Sequence, residues 1–175
     1  MTRLALLAAL MASAFALPTA AQDASATATL TDQSGVSNGT LTLMDMDDGI
    51  HIGGDLTGVP NGDHGFHIHE TGVCDAAGKF ESAGAHFNPA GKQHGTENPE
   101  GPHAGDLMNV TADDDGNAAV DLHSAEATIA AGDTSINDAD GAAVVLHADA
   151  DDYKTDPSGN SGDRIACGVI EFGTQ

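Results

Sequence analysis

Basic residues are scarce in this sequence of 175 residues. Lysine and arginine number five against 27 aspartates and glutamates, for a formal net charge of −22 at pH 7. Nucleic acid and anionic lipid are poor partners for so negative a surface. We therefore expect no nucleic-acid partner and no membrane partner.

Long apolar runs are also lacking. The longest one, residues 4–17, follows Arg3 and precedes Pro18, Thr19 and Ala21. Its roughly 14 residues are fewer than the ~20 that a membrane-spanning helix needs. A short apolar run followed by small residues is typical of a secretory signal peptide. We expect residues 1–21 to be cleaved, residues 22–175 to form the mature domain, and the protein to be periplasmic or secreted.

Cysteine is limited to Cys74 and Cys167, and neither lies in a C-x-x-C motif. In an exported chain, an even pair of cysteines favours a disulfide. Two thiolate metal ligands are the alternative, which the ready oxidation of thiolates outside the cytoplasm disfavours. A disulfide here would close a loop that includes most of the mature domain.

Sustained helical periodicity is absent, except for a short and doubtful stretch at 124–131, and there is no tryptophan. Alternating apolar and polar residues instead indicate about eight short strands, separated by turns rich in glycine and aspartate. This pattern predicts an all-β antiparallel sandwich or barrel. Two long loops, 70–105 and 149–163, do not fit the strand pattern, and loops of this length are usually functional. The predicted strands are 26–30, 39–44, 50–56, the strand around 66–69, 106–112, 117–122, 142–147 and 164–172.

Two histidines stand two residues apart in the segment GFHIHE at 65–70. On a strand His67 and His69 point to one face, while Phe66 and Ile68 point to the other. Neutral imidazole binds copper and zinc, so the pair indicates a metal site on a rigid element. Exposed strand histidines without a ligand role are the alternative.

The first long loop adds a second set of metal-binding side chains. His86, His94, His103 and Asp106 follow one another at spacings of 8, 9 and 3 residues. Three imidazoles and one carboxylate would complete a four-coordinate zinc site, which is structural rather than catalytic because no position is left for water. A solvated loop with incidental histidines is the alternative. His147 follows the apolar strand residues 144–146 and is a further candidate ligand.

Six segments together resemble the copper/zinc superoxide dismutase family, in the same order along the chain. The similarity extends over residues 26–172, and the position of Cys74, five residues after His69, is similar to that of exported bacterial members. The segments are GFHIHE at 65–70, SAGAHFNP at 82–89, KQHG at 92–95, HAGDL at 103–107, VVLH at 144–147 and GDRIACGVI at 162–170.

The resemblance implies an eight-stranded Greek-key β-barrel or sandwich, similar to the immunoglobulin fold, with two long functional loops. It implies that the protein is an enzyme that converts superoxide to oxygen and hydrogen peroxide, in antioxidant defence, with one copper and one zinc ion per subunit. The implied copper ligands are His67, His69, His86 and His147, and the implied zinc ligands are His86, which bridges the two ions, His94, His103 and Asp106.

Further roles follow from the same resemblance. Arg164 would hold the anionic substrate and His86 would take part in catalysis. Asp151 would link a copper ligand to His94. Cys74 and Cys167 would form a disulfide within the subunit.

Other residues have weaker assignments. His64 matches a structural histidine of the family, and His51 and His123 match no family position and are predicted to be surface residues. Lys154 is a candidate for steering the substrate. The sequence leaves a homodimer open, and Val169 and Ile170 could line a dimer contact or only the core. Two rival functions are a copper or zinc buffer without turnover and an adhesion or interaction module of sandwich fold, and the complete set of ligands together with Arg164 argues against both.

Overall fold

The computed structural model describes residues 25–173, so the predicted signal peptide lies outside the described residues. Alternation of apolar and polar residues produces nine antiparallel strands. The only helical element among residues 25–173 is one 3-10 turn at Glu81–Ala83, and no helix there is long and apolar enough to cross a membrane. The strands are β1 (Ser25–Asp32), β2 (Ser37–Met46), β3 (Gly49–Leu56), β4 (Gly62–His64), β5 (Phe66–His69), β6 (Val110–Ala112), β7 (Ala118–Ser124), β8 (Ala143–His147) and β9 (Arg164–Phe172).

Seven of the strands form one antiparallel sheet in the order β5-β8-β9-β1-β2-β3-β7, and β4 pairs with β6. The hairpins β1-β2 and β2-β3 are local, whereas β9 returns to pair with β1 after a long connection. Such a return beside the first strand is the connection found in Greek-key folds. The all-β antiparallel prediction is confirmed.

The core follows from the alternation of residues along each strand. In β1 the buried residues are Ala26, Ala28 and Leu30, and their neighbours face solvent. β7 shows the same alternation from Ala118 to Ser124. The inward side chains of the curled sheet therefore form one apolar cluster, which Phe66 and Ile68 of β5 join.

β8 is different because all five of its residues are buried. Val144 and Leu146 face the main core, while Ala143 and Val145 contact Phe80 and Cys167 in a second, smaller cluster. The first long loop thus covers the outer face of β8. This cover explains why the strand has a continuous apolar sequence rather than an alternating one.

Three details differ from the sequence-based expectation. The strand expected around the histidine pair is divided at Gly65 into β4 and β5, giving nine strands instead of eight. The strand expected at 106–112 is shorter and begins at Val110. The doubtful helical stretch at 124–131 contains the end of β7 followed by irregular backbone with one isolated bridge at Thr128.

Candidate metal centre

Strand β5 carries His67 and His69, two of the candidate ligands. It pairs with β8 along its whole length, which sets Phe66 opposite Leu146 and His69 opposite Ala143. His67 and His69 point away from the main core, yet both are fully buried. The strand therefore presents two imidazoles to an interior that the long loops enclose.

The first long loop lies along the other edge of β5. The Ile68 amide donates to the Gly105 carbonyl at 2.8 Å, and the Phe87 amide donates to the Ile68 carbonyl at 2.9 Å. A side chain at Gly105 would collide with the Ile68 carbonyl, because a Cβ there would lie well within van der Waals contact of that oxygen. These backbone contacts place His69 beside His86 and His67 beside Asp106.

Four ring nitrogens of this interior have no hydrogen-bond partner although they are buried. They belong to His67 (Nδ1), His69 (Nε2), His86 (Nε2) and His147 (Nε2). These four residues can each offer a ligand atom within 4.8 Å of the others. Buried polar atoms without partners are rare and costly, so their convergence indicates a cation site. An all-imidazole donor set suits copper.

A second group of donors converges on Asp106. Its Oδ1 lies 2.8 Å from His86 Nδ1, 3.0 Å from His94 Nδ1 and 3.2 Å from His103 Nδ1. A tetrahedral zinc ion with ligands at about 2.0–2.1 Å needs donors about 3.3 Å apart. The distances therefore fit zinc, as does the set of three imidazoles and one carboxylate.

His67 also lies close enough to His86, His94 and Asp106 to count as a potential ligand of this second group. Its Nε2, however, is bonded to Asp151 at 2.7 Å, and its Nδ1 belongs to the first group. His103 is the better fourth ligand, because its Nδ1 has Asp106 Oδ1 as a neighbour and lies 3.5 Å from His86 Nδ1.

His86 belongs to both groups. Its Nδ1 faces Asp106 and its Nε2 faces the unpartnered nitrogens of the first group. Its ring stacks on that of His67 with centroids 3.9 Å apart. One imidazole is thus positioned to contact two cations through its two nitrogens.

Asp151 joins the two groups from the second long loop. Its Oδ2 lies 2.7 Å from His67 Nε2 and its Oδ1 lies 3.0 Å from His94 Nε2. Gly159 packs against this carboxylate so closely that any side chain at position 159 would displace it. A carboxylate on the second nitrogen of a ligand histidine fixes the tautomer and the ring orientation.

Burial and hydrogen bonding shift the pKa values of the histidines in these groups in different directions. Burial lowers the pKa of His86 to about 4 and that of His147 to about 3, so both rings are neutral at pH 7 and able to bind metal. Although burial opposes it, hydrogen bonding to Asp106 and Asp151 raises the pKa of His94 to about 9. A cation that binds at His94 therefore displaces a proton.

Arg164 lies in a cleft of about 300 Å³ that leads to His69, His86 and His147. Its Nη1 donates to the Phe80 carbonyl and its Nη2 to the Gly84 carbonyl, both at 2.7 Å. The guanidinium is therefore held by the first long loop and set beside the first group of histidines.

A disulfide fastens the same loop to β9. Cys74 and Cys167 are bonded, which confirms the predicted pair, and their Cα atoms are 5.7 Å apart. Cys167 is three residues after Arg164, and Cys74 begins the segment whose carbonyls bind the guanidinium. The disulfide therefore helps to hold Arg164 and the loop carbonyls that accept its hydrogen bonds next to each other.

The remaining sequence-based assignments lie outside the two groups. His64 is buried and bonds the carbonyls of Pro60 and His147, as a structural histidine would. Lys154 is exposed and pairs with Glu97. His51 and His123 lie on β3 and β7, away from the centre.

One residue of the site was missed from the sequence. The Asn109 side chain accepts from the Asp151 amide at 2.8 Å and donates to the Asp151 carbonyl at 3.0 Å. The Asn109 amide also donates to the Tyr153 hydroxyl at 3.0 Å. A single asparagine near a strand end carries no pattern that could reveal such a contact.

Known proteins are similar to this chain in sequence and in fold. A family model described as copper/zinc superoxide dismutase matches residues 37–170. Two curated relatives from Aquifex aeolicus, both named superoxide dismutase [Cu-Zn], are 46% and 43% identical, covering 85% and 86% of this chain and 88% and 90% of their own length. A solved structure of a SOD-like protein from Bacillus subtilis, a double mutant with a tyrosine and a proline replaced by histidine, is 41% identical with a TM-score of 0.78. It covers 84% of this chain and 97% of its own.

Proposed function

This chain belongs to the copper/zinc superoxide dismutase family, and on that premise we propose that it dismutates superoxide at a bridged copper–zinc centre outside the cytoplasm. The observation that carries the proposal is the convergence of four unpartnered ring nitrogens beside a second group that shares His86. The proposed ligands are His67, His69, His86 and His147 for copper, and His86, His94, His103 and Asp106 for zinc.

Copper bound at the first group would supply a one-electron redox change, which zinc cannot. Two superoxide ions and two protons then give one oxygen and one hydrogen peroxide. Arg164 attracts and orients the anion in the cleft beside these histidines. His86 would hold a proton at Nε2 during half of the cycle, while its Nδ1 would remain with the proposed zinc ligands.

The overall negative charge does not prevent this role. The surface carboxylates, including Glu81 and Asp163 at the cleft, are exposed and screened by salt, whereas Arg164 is partly buried and faces the cleft, with its Nη2 4.0 Å from Glu81. The electrostatic potential at the base of the cleft, rather than the net charge of the protein, therefore determines whether superoxide is attracted.

Export and antioxidant defence complete the proposal. The disulfide supports an oxidising compartment, and the N-terminal apolar run followed by small residues supports a signal peptide. Mass spectrometry of the protein recovered from a bacterial periplasm should give the mass of a chain that begins at Gln22. Recovery of the uncleaved chain would contradict the proposed processing.

Superoxide decay, followed by stopped flow, tests the activity. Protein loaded with copper and zinc should accelerate decay catalytically, and protein stripped with a chelator should not. A copper or zinc buffer is the second candidate, because the two buried groups of donors can hold ions whether or not superoxide turns over; it would bind both metals without turnover. Stoichiometric consumption of superoxide by the fully loaded protein would favour the buffer and overturn the proposal.

A further inference from the structure

Two histidines that the candidate centre does not use stand directly opposite each other on neighbouring strands. The register of β3 and β7 pairs His51 with His123. Residues opposite each other on antiparallel strands have Cβ atoms about 4.5–5.5 Å apart. Their neighbours Ile50, Ile52 and Leu122 are buried, so both rings project from the outer face of the sheet.

Each of the two rings has a carboxylate on its Nε2. Asp121 Oδ1 lies 2.7 Å from His51 Nε2, and Asp48 Oδ1 lies 3.3 Å from His123 Nε2. A neutral ring that donates from Nε2 keeps the lone pair of Nδ1 for a ligand. Histidines that bind metal almost always have this arrangement, with the other nitrogen bonded to a carboxylate or carbonyl.

The surrounding surface favours a cation. Gly53 lies opposite Asp121, and the absence of a side chain there leaves room for the His51 ring, whose Cε1 would lie 3.1 Å from a Cβ at that position. None of the residues of β2, β3 and β7 is a lysine or an arginine. No ammonium or guanidinium on these strands therefore competes for the carboxylates.

We propose that His51 and His123 bind one Cu(II) ion through their Nδ1 atoms, at a surface site separate from the bridged centre. Among divalent first-row cations, Cu(II) binds imidazole ligands most tightly. The rings are partly exposed, with 34% and 41% of the side-chain surface accessible, and exposed side chains change rotamer in picoseconds to nanoseconds. Side-chain rotation can therefore bring both Nδ1 atoms to a shared ion without a change in the backbone, and the exposed Asp121 and Asp48 side chains can move with their rings.

The test uses the full protein with its centre already saturated with copper and zinc. Titration with Cu(II), followed by calorimetry and by electron paramagnetic resonance, should reveal one additional equivalent with nitrogen ligands. His51→Gln and His123→Gln should each weaken that binding at least about tenfold, because a chelate becomes a single ligand.

Asp121→Asn should weaken the same binding by about tenfold, as expected for the carboxylate partner of a ligand histidine. Asp55→Asn is the matched control, because it removes one exposed charge from the same face of β3 without touching either ring, and it should change the affinity little. Superoxide decay should be unaffected by all four substitutions.

Absence of an additional equivalent in the parent protein would overturn the proposal. Binding of equal affinity in the His51→Gln/His123→Gln double variant would also overturn it, because the ion would then lie elsewhere, for example at the amino terminus. The titration starts from protein whose centre already holds copper and zinc, so it measures only the additional equivalent of Cu(II). Absence of this surface binding is therefore distinguishable from a failure of the bridged centre to bind metal.

Discussion

Asp151→Asn is the sharpest test of how the two groups of ligands are joined. In the parent chain both carboxylate oxygens accept from histidine rings, Oδ2 from His67 and Oδ1 from His94. Asparagine has a single carbonyl oxygen, and its amide nitrogen cannot accept. One of the two rings therefore loses its partner, and a lost hydrogen bond to a charged group costs about 1.5–3 kcal/mol.

We expect most of this loss to reduce the affinity for zinc, whose proposed ligands include His94. His67 lies in β5, where its backbone is fixed by pairing with Val145. His94 lies in a long loop, and Asp151 connects it to the second long loop. We therefore expect the affinity for zinc to fall about tenfold to a hundredfold, and the affinity for copper to fall less.

Competition titrations of the metal-free protein with a chromogenic chelator would measure both affinities. Asp152→Asn is the matched control, because Asp152 is exposed and accepts hydrogen bonds only within its own loop, from Lys154, Thr155 and Asn160. Unchanged affinity for zinc in Asp151→Asn would refute the reasoning. An equal fall in Asp152→Asn would also refute it, since loop stability alone would then explain the effect.

Three other predictions follow from the site. Arg164→Ala should lower kcat/KM about tenfold or more, because a charge pair at about 4 Å is worth about 1 kcal/mol in water and more in a cleft. Arg164→Lys should retain part of the rate, and an unchanged rate of superoxide decay at low ionic strength in Arg164→Ala would contradict this prediction. Replacing Cys74 and Cys167 with serine should reduce the free energy of unfolding by up to about 4–5 kcal/mol, because the bond closes a loop of 93 residues; an unchanged urea midpoint would argue against it. In metal-free protein, stability should fall as the pH drops from about 6.5 to about 4, because burial lowers the pKa of His86 to about 4 and the unfolded chain binds more protons. It should also fall as the pH rises toward 9, because hydrogen bonds to carboxylates, against the effect of burial, raise the pKa of His94 to about 9; urea denaturation from pH 4 to pH 9 would show both slopes, and a flat profile would contradict them.

The parts of the molecule that could be predicted from sequence are those with a regular backbone. Alternation along β1 and β7 locates their buried faces, and a two-residue period places His67 and His69 on one side of β5. The continuous apolar run of β8 indicates burial on both faces. These inferences work because the side-chain direction on a strand repeats every two residues.

The loops could not be predicted in the same way. Nothing periodic shows that Phe87 and Gly105 pair with β5, that Phe80 covers β8, or that Asn109 binds the backbone of Asp151. These contacts depend on irregular backbone whose path is set by tertiary packing. The resemblance to a family supplied the ligand set as a proposal, but the enclosing contacts come from the structure alone.

The pairing of the first long loop with β5 has a consequence for association between molecules. Without residues 87 and 105 beside it, β5 would be the outermost strand of the seven-stranded sheet, with free amides and carbonyls that another chain could extend. The segments that shield it carry His86, His103 and Asp106. We therefore expect that cation binding, by holding these segments in place beside β5, reduces edge-to-edge aggregation of the sheet as well as completing the site.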